Sequence, residues 1–142
     1  MRLIHGPLAA QARESDLLMK VDRLRLAKRR WRGFAGDGTE FGFDLEVPLK
    51  HGSVFFSSAA GNYRIEQQSE PVIDIACPAD PSAAARLGWL LGNLHFPIEI
   101  AEGILRICDD TAVRQMLQRE AIPYTLSEAV FQPVAGGHSH GG

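Results

Sequence analysis

Val72-Ile73-Asp74-Ile75-Ala76-Cys77-Pro78-Ala79-Asp80-Pro81-Ser82-Ala83-Ala84-Ala85-Arg86-Leu87-Gly88-Trp89-Leu90-Leu91-Gly92-Asn93 decides how the second half of this chain folds. The first five residues are a β-rich run of the kind that fills a sheet interior. Asp80-Pro81 then supplies an N-cap followed by proline in the first helical turn, where its missing N–H costs nothing. Ala84, Leu87, Leu90 and Leu91 recur at helical spacing, and Gly92-Asn93 stops the helix.

Working outward, Ile98-Glu99-Ile100 makes a second strand, Glu102-Gly103 turns it, and Ile104-Leu105-Arg106-Ile107 returns. Asp109 and Asp110 cap a second helix with Val113, Met116 and Leu117 on its inner face, and 122–131 is a last extended stretch. The order is β-α-β-β-α-β, the split βαβ or ferredoxin-like unit. Cys77 and Cys108 end its first and third strands, which run antiparallel, so the thiols sit at opposite ends of the sheet and form no disulfide.

Upstream, from 17 to 63, the signals are short strands and turns. Leu24 and Leu26 alternate with Arg23 and Arg25, the period-two pattern of a half-buried strand. After the Gly36-Asp37-Gly38 turn, Phe41, Phe43, Leu45 and Val47 alternate with polar or small residues and point one face inward, until Pro48. This half is expected to be a small all-β domain without helix. The fold class is therefore α+β: a β-rich domain over 1–69, a ferredoxin-like domain over 70–134 and a flexible Gly/His tail over 135–142.

Composition narrows the function. A net charge of −2 over 142 residues argues against a general nucleic-acid binder, which needs a basic surplus. No apolar run approaches the ~20 residues of a membrane span, and the N-terminus lacks a signal peptide's apolar core. A cytoplasmic protein with reduced thiols is expected. The run 23–32 holds six of the fifteen Lys and Arg, either a solvated face or a docking surface for an acidic partner. No P-loop, H-E-x-x-H motif or paired carboxylate with a nearby histidine is present, so no enzyme is expected. Gly137-His138-Ser139-His140-Gly141 matches G-x-S-x-G only formally, since a nucleophile elbow needs a strand before and a helix after it.

The remaining chemistry lies in histidines. Gly92-Asn93-Leu94-His95-Phe96-Pro97 aims an imidazole from an apolar patch, with Gly92 and Asn93 taking the unusual backbone angles and Pro97 fixing the exit. Read alone, His95 fits either a turn residue or a ligand. One imidazole holds no transition metal tightly, because useful sites gather three or four ligands. A two-fold axis near His95 would supply its twin, and His138 and His140, flanked by glycines, could add donors from a mobile arm. Thiolate-free, imidazole-rich coordination suits Ni(II), Cu(II) or Zn(II). His5 and His51 are isolated and are expected to be surface or turn residues.

The Asp37-Gly38 turn and the signature Leu91-Gly92-Asn93-x-His95-x-Pro97, with histidines in a C-terminal glycine stretch, resemble the urease accessory nickel chaperone family, UreE. The resemblance implies a peptide-binding-like β domain joined to a ferredoxin-like domain that forms a homodimer. It further implies one nickel between two His95 side chains, tail ligands from His138 and His140, and transfer to an accessory GTPase and the apo-urease complex. Metal-bridged tetramers are a further implication. The sequence departs from the family at Leu94, where arginine is usual, and at Ile107-Cys108-Asp109-Asp110, where some members carry a histidine pair. The alternative is a peptide-binding co-chaperone or adaptor in which metal binding is incidental. A metallohydrolase would need a base beside the metal, and Glu99 is the nearest carboxylate in sequence.

Overall fold

The computed structural model describes residues 1–134; the expected tail, with His138 and His140, lies outside the described residues. The chain divides into two compact units, Met1–Gln68 and a second that begins at Ser69. It is a mixed α+β protein, richer in strands than in helices.

The first unit runs β1 (Arg2–Ile4), β2 (Leu17–Val21), α1 (Arg23–Leu26), β3 (Arg30–Phe34), β4 (Glu40–Asp44), β5 (Val54–Ser58) and β6 (Gly61–Gln67). Its strands form two three-stranded sheets, β1-β4-β3 and β2-β6-β5. Alternation along β4 turns Phe41 and Phe43 into the core, with Leu45 just beyond the strand's end. Phe41 is fully buried, with its ring centre 5.0 Å from Phe55, 5.4 Å from Phe56 and 5.1 Å from Tyr63 in edge-on packing. Val47 is 69% exposed, because β4 has already ended at Asp44.

The turn at Asp37-Gly38 joins β3 to β4. Gly38 has φ +89°, a conformation glycine adopts without a Cβ penalty. The Asp37 carboxylate accepts from Tyr63 Oη at 2.6 Å and from the Thr39 amide at 3.0 Å. The Tyr63 hydroxyl, more than any other contact, holds Asp37 below its ordinary pKa of 3.8. A depressed carboxylate contributes its stability fully above its unfolded pKa and loses it as pH falls through the lower folded value. Asp37→Asn is therefore expected to lower stability in the neutral region and to flatten the acid limb below pH 3.8, so that variant and wild type converge in acid, which urea melts across pH would measure.

Two readings of this half are corrected. Arg23–Leu26 is a short helix, not a strand. The Asp22 side chain caps it by accepting from the Arg25 amide at 2.9 Å, a local bond that outcompetes extended pairing. The turn buries Leu26 to 4% exposure and leaves Leu24 at 69%, whereas a strand would have put both on one face. The second miss is β1, which pairs parallel to β4 with Arg2 opposite Phe41. The half is thus not purely β.

The second unit runs β7 (Glu70–Ala76), α2 (Pro81–Gly92), β8 (Ile98–Ala101), β9 (Ile104–Cys108), α3 (Thr111–Arg119) and β10 (Thr125–Ala129). Its sheet has the order β10-β7-β9-β8, every neighbour antiparallel. Asp80 caps α2 through the Ala83 amide at 2.9 Å and Asp110 caps α3 through the Ala112 amide at 2.8 Å. Both helices lie on one face: Leu87, Leu91, Val113, Met116 and Leu117 share a core with Ile73, Ile75, Leu105 and Ile107. Val72 opposes Cys108 and Ala76 opposes Ile104, so Cys77 and Cys108 lie at opposite ends of the pair, and neither is in a disulfide.

Candidate metal centre

His95 stands at the end of the turns that close α2. The Asn93 amide donates to the Trp89 carbonyl, Leu94 to Leu91 and His95 to Gly92, each at 3.1 Å. Leu94 packs against the core of the unit and holds the turn down, while the His95 side chain is exposed. The unusual backbone angle belongs to His95 itself, at φ +61°. Gly92 is the last helical residue and Asn93 keeps a right-handed φ of −66°, which corrects the expectation that this pair would carry the special angles.

A left-handed conformation at a non-glycine residue costs about 1 kcal/mol or more. The position thus keeps an imidazole at a conformational cost that glycine would avoid. His95→Gly is expected to be more stable than His95→Ala by about 1 kcal/mol, as thermal or urea melts of the two variants would show.

No described residue hydrogen-bonds the His95 ring, and no three His, Cys, Asp or Glu among the described residues group to hold a metal ion. His95 is therefore one donor, and a site of three or four ligands needs others from elsewhere. Its surroundings in the chain are apolar and open: Trp89 is 63% exposed, Phe96 37% and Ile100 68%. Trp89 and Ile100 escaped the sequence reading, since helix and strand periodicity placed them without revealing that they stay exposed among the described residues.

The remaining candidates are engaged elsewhere. Glu99 faces Arg106 at 3.6 Å and accepts the Gln132 amide at 2.9 Å, so it is not a base turned toward His95. Asp110 caps α3, Asp109 forms a two-bond ion pair with Arg114 at 2.7 and 2.6 Å, and Cys108 Sγ lies 3.7 Å from Glu70. The Arg114 guanidinium holds Asp109 below the usual carboxylate range. His5 lies 3.1 Å from the Asp44 carbonyl and His51 accepts the Gln67 amide at 3.1 Å, so each has a local structural contact. His138 and His140 lie outside the described residues. Among the described helices none is long and apolar enough to cross a membrane.

The comparisons with known proteins agree with one another. The family model for the UreE urease accessory protein, C-terminal domain, matches residues 70–142. The urease accessory protein UreE of Pseudomonas fluorescens (strain SBW25) is 30% identical over 148 residues, covering 99% of this chain and 87% of that protein. That of Ectopseudomonas mendocina (strain ymp) is 30% identical, covering 99% and 86%. That of Azotobacter vinelandii (strain DJ / ATCC BAA-1303) is 32% identical, covering 91% and 82%. These are names of accessory proteins, not of catalysts. The chain belongs to the UreE family of urease accessory proteins.

Proposed function

We propose that this protein is a nickel metallochaperone that binds Ni(II) between the two subunits of a homodimer and delivers it for assembly of the urease metallocentre. His95 is the paired central ligand, and His138 and His140 are auxiliary ligands from the C-terminal tail. The observation that carries this reading is an exposed imidazole in a left-handed backbone conformation, with no intramolecular hydrogen bond among the described residues and with exposed apolar residues nearby in the sequence at Trp89, Phe96 and Ile100. Burying those side chains against a second copy would release apolar surface worth roughly 25 cal/mol per Å² and bring the two rings together. A site completed only by association of two subunits opens readily. That suits transfer.

The unit that begins at Ser69 we read as the ferredoxin-like metal-binding and dimerisation domain, 70–134. Its strand order, fourth-first-third-second with both helices on one face, supports the assignment. Residues 1–69 form the peptide-binding-like domain. Zn(II) and Cu(II) suit the same donors, and copper would win on raw affinity, so the preference for nickel comes from the family. The receiving partners are the accessory GTPase and the apo-urease complex, the setting is the cytoplasm, and metal-bridged pairs of dimers are a further state. X-ray absorption of the nickel-loaded protein tests the donor set. Imidazole and oxygen without sulfur is expected; a thiolate shell would contradict it.

The second reading, an adaptor that docks an acidic partner, has one observation behind it. Edge strands β2 and β3 are tied at one end by the Gly36 amide on the Leu18 carbonyl at 2.9 Å. Along them opens a cleft of about 710 Å³ lined by Lys20, Arg25, Lys28, Arg30 and Arg32. An extended acidic segment could add to such an edge. Loss of urease maturation in a Lys28→Glu, Arg32→Glu variant that still binds nickel normally would favour this reading.

A further inference from the structure

β3 is an outer strand of its sheet, with β4 on one side, and the ladder fixes what its other edge offers. The Leu45 amide donates to the Arg29 carbonyl and the Ala35 amide to the Thr39 carbonyl, each at 2.9 Å. Hydrogen-bonded and non-hydrogen-bonded pairs alternate along an antiparallel ladder. Trp31 and Gly33 therefore direct their backbone groups to β4, whereas Arg30, Arg32 and Phe34 turn theirs outward. Arg32 shows the direction, since its carbonyl is met by the Arg25 guanidinium at 3.3 Å and not by a strand. Side chains alternate too, so Arg30, Arg32 and Phe34 share one face. Opposite them on β4 stand Asp44, Gly42 and Glu40. Arg30 is paired with Asp44 at 3.1 Å. Arg32 faces a glycine and has no carboxylate partner among the described residues, and Phe34 is 65% exposed. Trp31 lines the cleft beside this edge, and its buried indole N–H finds no acceptor among the described residues.

We infer that β3 takes an extended segment of a partner protein as an added antiparallel strand, and that its outward face selects the pattern apolar-x-acidic-x-acidic. This deepens the second reading above, of docking to an acidic partner, and rests on it. Residues opposite Arg30, Arg32 and Phe34 in an added strand make the hydrogen-bonded pairs that these positions leave open. Their side chains fall on the same face as those they oppose, about 5 Å away. Successive ones lie two residues, or about 6.8 Å, apart. Antiparallel order sets an apolar residue against Phe34 first, a carboxylate against Arg32 next and a second against Arg30. Selection is sharpest at Arg32, because Gly42 gives it nothing to pair with, while Arg30 shares any new carboxylate with Asp44. The entering amide takes the Arg32 carbonyl and releases Arg25, which lines the cleft with Lys20 and Lys28 and adds to its positive field. Backbone bonds supply the affinity and the side-chain face supplies the selection. A strand in the cleft also brings acceptors to the wall that Trp31 forms. Nucleic acid offers phosphates without a ladder of amides, so the open edge favours protein.

The probe is a capped heptapeptide, Thr-Leu-Thr-Glu-Thr-Glu-Thr, titrated at low salt into the full chain carrying Trp89→Phe, which leaves Trp31 as its one tryptophan. Saturable binding with a shift in Trp31 emission is expected. Methylating the amide nitrogen of both glutamates keeps the charges and removes the donors aimed at β3, and is expected to weaken binding at least about tenfold. Arg32→Gln is expected to weaken the parent peptide about two- to fivefold. Phe34→Ala is expected to lower affinity for this peptide, and not for one with threonine in place of leucine. Equal affinity for the methylated peptide would overturn strand addition and leave the acidic-partner reading in place. No saturable binding by emission or calorimetry, or equal binding of a single-stranded RNA of matched charge, would overturn the inference as well. The broader reading is then decided separately, by urease maturation in the Lys28→Glu, Arg32→Glu variant.

Discussion

Nickel titrated into the His95→Ala variant is expected to bind more than about a hundredfold more weakly than to the wild-type protein. Outer-shell partners of a metal ligand typically account for 10- to 100-fold in affinity. Removing a direct ligand from both subunits at once exceeds that. The fold should survive, because the side chain is exposed and its ring bonds to nothing else among the described residues. His138 and His140 remain in the variant, so any residual binding reports what the tail holds alone. Acid should weaken wild-type binding, since imidazole takes metal only through a neutral nitrogen. Calorimetry at fixed pH, beside a circular dichroism spectrum showing intact structure, measures both quantities.

The second large effect concerns stability. Phe41→Ala is expected to cost the first unit about 3–5 kcal/mol, the range for emptying a large buried aromatic site. The site cannot collapse easily. Phe41 contacts rings from β5 and β6 as well as Phe43 of its own strand, at 6.5 Å, so it joins the two sheets of the unit. Every 1.4 kcal/mol is a tenfold change in an equilibrium constant, so the folding constant should fall more than about a hundredfold. Urea melts followed through Trp31, stacked 4.0 Å from Phe43, report this transition. Nickel binding at His95 should persist in that variant under conditions where the second unit stays folded.

Local signals made the second unit legible in the sequence. Asp80-Pro81 and Asp110 cap their helices through bonds that span three residues or fewer, and the strands between them carry apolar runs broken only by Glu99 and Arg106. The misreadings arose where a local bond competed with a pattern or where distant residues met. At Asp22 the cap turned an apparent strand into a helix, and Leu24 went to solvent while Leu26 went inward. At β1, three residues become a strand only because β4, far along the chain, offers an open edge.

The candidate site divides in the same way. His95 stood out because Gly92, Asn93 and Pro97 frame it. That His95 itself takes the left-handed angle follows from how Leu94 is packed beneath the turn, which no dipeptide preference reveals. The row Asp74–Arg106–Glu99 joins residues up to 32 apart and its bond to Gln132 spans 33, and they could be found only once strand register was known. Glu99 drew notice solely as the carboxylate nearest His95. Its partners give it a different task.

Pairing of the two His95 rings is tested most directly by native mass spectrometry of the full chain with and without nickel. A dimer carrying one nickel that resists mild activation, and that is lost in His95→Ala, is the expected result. A monomer binding its own nickel, or a dimer whose single nickel is indifferent to His95→Ala, would contradict a site made by two subunits.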